Sequence, residues 1–241
     1  YQTILTTSFR TANGIIQTLL KFIPLTLMAL AFTIPYTAGK FNIGGEGQFL
    51  MGAIGATVTG ILLANWPIWL LLPIVIISGF IFAMVWGWIA GYLLYKFGVH
   101  EILTTVLLNF VAYQLVDYTA TAIWPDMTSG HPMTTPIGEG GFLPLLVKNP
   151  PLNAGLFLML LVAVAVYVYI QRTSAGYKLV ATGSNQRAAK VFGINVGFIA
   201  VFSLALGAGL AGLAGSIEVA GVQHRLIEDM QSNYKILGLI I

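Results

Sequence analysis

Apolar residues in this chain fall in long runs separated by a few polar breaks. The runs cover about 14–36, 49–64, 66–95, 102–124, 153–171 and 197–217, and a seventh begins near 236. A helix needs about 20 mostly apolar residues to cross the hydrocarbon core of a bilayer. The pattern therefore predicts an all-α, polytopic transmembrane helical bundle of six or seven spans, one domain over 1–241. The first run contains Lys21, Pro24 and Pro35 and is expected to be interrupted. The second is short and rich in small residues, and the third is long enough to span with tilt. Paired short or interrupted segments point to a transport site. The chain opens at Tyr1 and stops inside the apolar run 236–241, so it reads as a fragment of a longer one.

Between the first two runs lies Phe41-Asn-Ile-Gly-Gly-Glu-Gly-Gln48, a Gly-rich polar break with one acid. Irregular chain is tolerated at membrane depth only where it is buried in protein or faces a watery cavity. An ionisable residue there marks a functional site. Asn42, Glu46 and Gln48 are thus expected on a polar path, either at the cytoplasmic side or re-entrant toward the middle. In the fourth run Asn109, Tyr113 and Asp117 recur at four-residue steps, on one helix face, and are expected to line the same path. Each has a plainer reading: Asn109 as an interhelical hydrogen-bonding group, Glu46 as an acid at the dipole of the following half-helix. Small residues also recur every four positions: Gly52, Ala56, Gly60; Gly79, Ala83, Gly87, Gly91; and Gly207, Ala211, Gly215. Such rows let helix backbones approach closely in a bilayer, and are read as packing seams.

Composition names the solvent. Hydrophobic residues make up 57% of the chain and charged ones 8%, against about 25% charged in soluble domains; mean hydropathy is +0.86. So few charges cannot cover a water-facing surface, so lipid is the expected surround. A net charge of +3 with no basic run gives no reason to expect nucleic acid. The absence of Cys excludes disulfides and thiolate metal sites. Segment 172–196 carries Arg172, Lys178, Arg187 and Lys190 and no acid, whereas the proline-rich 125–152 carries Asp126, Glu139, His131 and Lys148. The Lys/Arg excess predicts 172–196 in the cytoplasm and 125–152 outside, with Trp66, Trp69 and Trp124 in an outer aromatic belt.

Catalytic motifs are missing. There is no phosphate-binding loop, no His-Glu-x-x-His, no Gly-x-Ser-x-Gly and no carboxylate cluster. An enzyme and a bound cofactor are therefore not expected. The loop Gly183-Ser-Asn-Gln-Arg-Ala-Ala-Lys-Val-Phe-Gly193 is more informative. Ser184 or Asn185 can cap a helix and Gly193 can stop it. About two turns lie between, with Ala188 and Ala189 small enough for close docking; the alternative is a surface helix without a partner.

This loop resembles the coupling motif of ABC-importer permeases, two alanines preceding a glycine at a fixed interval. Gly183, Asn185, Ala188, Ala189, Gly193 and Ile194 match the form Gly-x-Asn-x-x-Ala-Ala-x-x-x-Gly-Ile of the sugar, nucleoside and branched-chain amino-acid branch. Arg187 stands where other branches often have an acid. Phe41–Gln48, His100-Glu-Ile-Leu-Thr-Thr-Val-Leu-Leu-Asn109 and Glu218-Val-Ala-Gly-Val-Gln-His-Arg225 resemble further segments of the nucleoside members, in the right order, from about residue 14 onward. The resemblance implies an ABC importer transmembrane domain with re-entrant helices in a bacterial cytoplasmic membrane. Gly183, Ser184, Asn185, Arg187, Ala188, Ala189 and Gly193 would couple it to ATPase subunits that carry ATP and Mg. A second permease subunit, a different chain, and an extracytoplasmic solute-binding lipoprotein would complete the complex. The near absence of fixed charge in the spans suits a neutral, hydrogen-bonding solute, a nucleoside first and a simple sugar or branched-chain amino acid as alternatives. Opposed readings are a secondary transporter or channel, against which the docking loop speaks, and a membrane scaffold, against which the polar breaks speak.

Overall fold

The computed structural model describes residues 11–128, 130–228 and 230; the apolar run near 236 lies outside them. The chain is a helical bundle. Helix α1 spans Ala12–Thr37, α2 Gly45–Leu62, α3 Ile68–Phe97 and α4 Glu101–Tyr118, the last extended by a wide π turn over Thr119–Ile123. After a folded loop come α5 (Gly155–Arg172), α6 (Ser174–Ser184), α7 (Gln186–Val191) and α8 (Val196–Glu218), which ends in a second π turn, Val219–Gln223. Five of the described helical segments are long and apolar enough to cross a membrane: α1, α3, α4, α5 and α8 with their extensions. The chain is a multi-pass membrane protein.

The first run is not interrupted where the sequence suggested. Helix α1 runs unbroken through both Pro24 and Pro35. Proline frees the carbonyl four residues back, and within a bundle neighbouring helices take up such groups. Pro35 frees the Ala31 carbonyl, which faces Gly207 of α8 so closely that a Cβ there would lie 2.5 Å from its oxygen. The break comes after Thr37 instead, where Gly39 turns the chain at φ +71°.

Helix α8 is the axis of the bundle, with 18 of its 23 residues buried, and α1, α2 and α3 pack round it. The small-residue rows are the seams. A side chain at Gly52 would overlap the backbone of Gly212, one at Gly79 would meet Ser216 and the Gly52 carbonyl, and one at Gly87 would overlap Ala208. Helix α5 is peripheral: Phe157, Leu161 and Val164 are all more than half exposed, as a lipid-facing helix is.

Two ends of the bundle are defined by contacts. At one, Gly39 abuts Gly183 at the end of α6, with 3.3 Å between a Cβ position on Gly39 and the Gly183 Cα. At the other, the segment 125–153 folds over the helix ends rather than looping free. It contains a single helical turn (Glu139–Gly141) and an antiparallel pair, β1 (Leu145–Val147) with β2 (Leu152–Asn153). Gly138 N–H donates to the Gly60 carbonyl, Ile137 N–H to that of His224 and Leu143 N–H to that of Ala220. Ile137 and Leu143 are buried. Arg225 pairs with Asp126 at 2.8 Å. Thr128, through its hydroxyl and its backbone N–H, holds the Asp126 carboxyl below its ordinary range, and Arg225 adds to this.

Candidate functional site

The break between α1 and α2 is built by alternation. Phe41 and Ile43 are exposed while Asn42 and Gly44 are buried. Asn42 turns inward and forms a reciprocal amide pair with Gln48: its Nδ2 donates to Gln48 Oε1 at 2.8 Å and Gln48 Nε2 donates back to Oδ1 at 2.9 Å. The same Oδ1 accepts from Gly44 N–H. The break is therefore closed on itself before it meets another helix.

Asn109 of α4 then fastens it. Its Oδ1 accepts from Gly47 N–H at 2.9 Å and its Nδ2 donates to the Ile43 carbonyl at 3.2 Å. Gly44, the residue before α2, provides no side chain to cap that helix, whose first N–H groups lack intrahelical partners. Asn109 supplies one acceptor from another helix. Gly44 and Gly47 make the approach possible: a Cβ on Gly47 would sit 2.7 Å from Asn109 Oδ1, and one on Gly44 2.9 Å from Thr105 Cβ. Glu46, half-buried in the first turn of α2, accepts a hydrogen bond from the Tyr113 hydroxyl. Beneath the break, Lys40 faces the buried Glu101 at 3.7 Å.

Depth follows from α4. With a rise of 1.5 Å per residue, Tyr113 lies about 18 Å beyond Glu101 on a helix of about 34 Å. Helix α2 therefore begins well inside the bundle and leaves toward the end where Gly138 meets Gly60. It carries 11 buried residues of 18 and is not among the helices apolar enough to span alone. A polar-headed helix that starts inside the bundle and is enclosed by protein fits the rule for membrane interiors.

The six path candidates thus divide. Asn42, Gln48 and Asn109 are buried and bonded to the break itself. Glu46 and Tyr113 are joined to each other and remain half-exposed. Asp117 is half-buried one turn further along α4 and takes no part in the network. Phe110 meets Tyr113 edge-on at 6.2 Å; separately, Phe32, Tyr36 and Phe41 cluster where α1 runs into the break, with Phe32 stacked on Tyr36 at 5.5 Å.

The second candidate, 183–193, is two helices meeting at Asn185. That residue caps α7, its Oδ1 accepting from Arg187 and Ala188 N–H at 3.0 Å each; Ser184 closes α6 instead. Gly193 stops the chain at φ +78°. Gly183 is fixed by contact, since a side chain there would overlap the Thr37 carbonyl. Ala189 is buried and Ala188 half-buried, so the alanines face the protein's own body. The outward face is Arg187 and Lys190 with Val191 and Phe192, which are 85% and 83% exposed. Reading the sequence had passed over Val191 and Phe192; the available signal was a large apolar pair closing a short basic helix.

The class is thus a polytopic membrane protein with a polar-headed, largely buried helix held inside its bundle and a capped helix presented at one end. The family model described as branched-chain amino acid transport system / permease component matches residues 14–241, and the chain belongs to that family. It is 32% identical over 222 residues to a glucose ABC transporter permease protein of Haloferax volcanii, covering 88% of this chain and 58% of the relative. It is 30% identical over 210 residues to a guanosine ABC transporter permease protein of Bacillus subtilis, covering 85% and 59%. Against a nucleoside ABC transporter permease protein of Lactococcus lactis it is 27% identical over 240 residues, covering 96% and 66%. The chain spans about six-tenths of the length of the first two relatives and 66% of the third. No solved structure matches it.

Proposed function

We propose that the chain forms the permease domain of an ATP-driven ABC importer for nucleosides in a bacterial cytoplasmic membrane. The observation that carries the ATP-driven reading is α7, a short capped helix whose end exposes Val191 and Phe192 just after Arg187 and Lys190. An exposed apolar pair beside cations, on a short helix outside the five apolar spans, suits a protein contact. Arg187 and Lys190 make the adjoining Lys/Arg-rich face the cytoplasmic one, where an ATPase is found. ATP hydrolysis, with its Mg, belongs to that subunit and not to this chain. A second permease chain and an extracytoplasmic binding lipoprotein complete the assembly, the latter meeting the folded segment 125–153.

In this reading, motion at α7 reaches the break through the contact of Gly183 with Thr37 and Gly39. Asn42, Gln48 and Asn109 keep the break in one shape while it moves. Glu46, Tyr113 and Asp117 meet the solute, with Phe110 and the Phe32–Tyr36–Phe41 cluster offering faces on which a flat ring stacks. Relatives named for guanosine and nucleosides, 30% and 27% identical, agree with this reading, and those named for glucose and fructose, 32% and 27% identical, define the competing one.

Uptake by the complete complex in proteoliposomes tests this. Labelled guanosine, uridine, glucose, fructose and leucine are offered in parallel, with and without internal ATP. The expected result is ATP-dependent accumulation of the nucleosides at least tenfold above the sugars and leucine. Preference for a sugar would overturn the nucleoside assignment, and accumulation without ATP would overturn the importer assignment.

A further inference from the structure

Two cavities meet on the outside of the bundle, near the end that carries α7. The first is a groove of about 500 Å³ between α3 and α8, walled by Ile81, Val85, Trp88, Tyr92, Phe198 and Phe202 among others. The second, of about 430 Å³, lies between the break, the end of α3, α7 and the start of α8, and is lined by Lys40, Gln186 and Lys190 with Leu94 and Ile194. Tyr95 and Asn195 line both, so the two are continuous. Lys96 adds a third cation beside the groove, its ammonium 5.4 Å from the ring of Tyr92 in the groove wall. No acid is among the described residues that line either cavity. Lys40 is held by Glu101, while Lys190 is exposed.

We infer that this is a binding site for one anionic glycerophospholipid. An acyl chain lies in the α3/α8 groove and the headgroup phosphate sits against Lys190, with Lys40 and Lys96 adding positive potential. Any lipid-facing groove accepts a chain. What selects this one is the junction at Tyr95 and Asn195, where an apolar slot runs directly into a cationic pocket. Basic pockets between membrane helices recognise anionic headgroups in this way, with each cation near the surface worth about a fivefold change in binding. Because Lys190 is on α7 and Lys40 is in the break, the headgroup touches both segments at once. The proposal needs membrane residence and neither the solute nor the ATPase reading, although Lys190 also belongs to the face of α7 offered to the ATPase.

The test uses the full-length protein in mild detergent, with bound lipid counted by native mass spectrometry during titration with phosphatidylglycerol or phosphatidylcholine. Phosphatidylglycerol is expected to bind at least fivefold more tightly. Lys190→Gln should remove about fivefold of that preference, and Lys190→Arg should keep it. Val85→Trp, at a residue 55% exposed in the groove wall, should weaken both lipids together. Equal binding of the two lipids, or an unchanged preference in Lys190→Gln, would overturn the proposal. So would displacement of phosphatidylglycerol by inorganic phosphate alone, since that marks an anion pocket without a chain site.

Discussion

The Phe192→Asp variant is expected to lose ATP-driven uptake to background while the chain stays folded and inserted. Phe192 is 83% exposed and touches little of its own protein, so its removal costs the fold almost nothing. In a docked complex the same ring would be buried, which contributes about 1.5–3 kcal/mol. An Asp carboxylate in its place would lose that and meet a desolvation penalty of its own. The combined effect weakens association at least a hundredfold, since each 1.4 kcal/mol is about a factor of ten. Uptake in proteoliposomes and co-purification of the ATPase subunit are the two readings, with thermal stability as the control. Normal uptake together with normal co-purification would remove α7 from the coupling account. Ala189 is a poor probe for this purpose. It is 3% exposed, so a large residue there would distort the loop before it touched a partner.

Asn109→Leu should act on stability first and on uptake only as a consequence. The substitution strips an acceptor from Gly47 N–H and a donor from the Ile43 carbonyl. An unsatisfied buried polar group costs about 1–3 kcal/mol, and since the Gly47 bond is buried while the Ile43 bond is only partly so, the predicted loss is about 1–3 kcal/mol. The measurement is thermal unfolding of the purified protein in detergent. Unfolding at the native temperature by the Leu variant, with reduced uptake, would return Asn109 to the solute path.

Most of the helices could be read from the apolar runs because a membrane helix is a long, one-signal object. The run 102–124 became Glu101–Ile123, and 197–217 became a helix over 196–218. The four-residue rows were legible for a related reason: close backbone approach requires small residues on one stripe, and Gly52 against Gly212 is that approach. What failed was identity of partner. Pro24 and Pro35 looked like an interruption because the chain alone does not reveal that α8 covers the freed Ala31 carbonyl. Asn109 kept two readings, path residue and interhelical hydrogen-bonding group, because its two partners lie 62 and 66 positions away. Periodicity reports that a face is covered, not by what. The sequence of segment 125–152 indicated only a side of the membrane, since nothing in its spacing points to the backbone bonds that seat it on α2 and the end of α8. In the coupling segment, spacing drew attention to Ala188 and Ala189, whereas exposure singles out Val191 and Phe192. The amide pair of Asn42 and Gln48 has a spacing of six, which matches neither helix nor strand and could not be found by pattern.

The central claim, that α7 is a cytoplasmic dock for an ATPase, is tested most directly by one labelling measurement. Because the chain has no native cysteine, Val191→Cys gives a single reactive thiol at an 85% exposed position. A membrane-impermeant maleimide is applied to right-side-out and inside-out vesicles, with and without the ATPase subunit bound. The expected result is reaction only in inside-out vesicles, slowed at least fivefold when the ATPase is present. Reaction from the outside, or an unchanged rate with the ATPase bound, would contradict it.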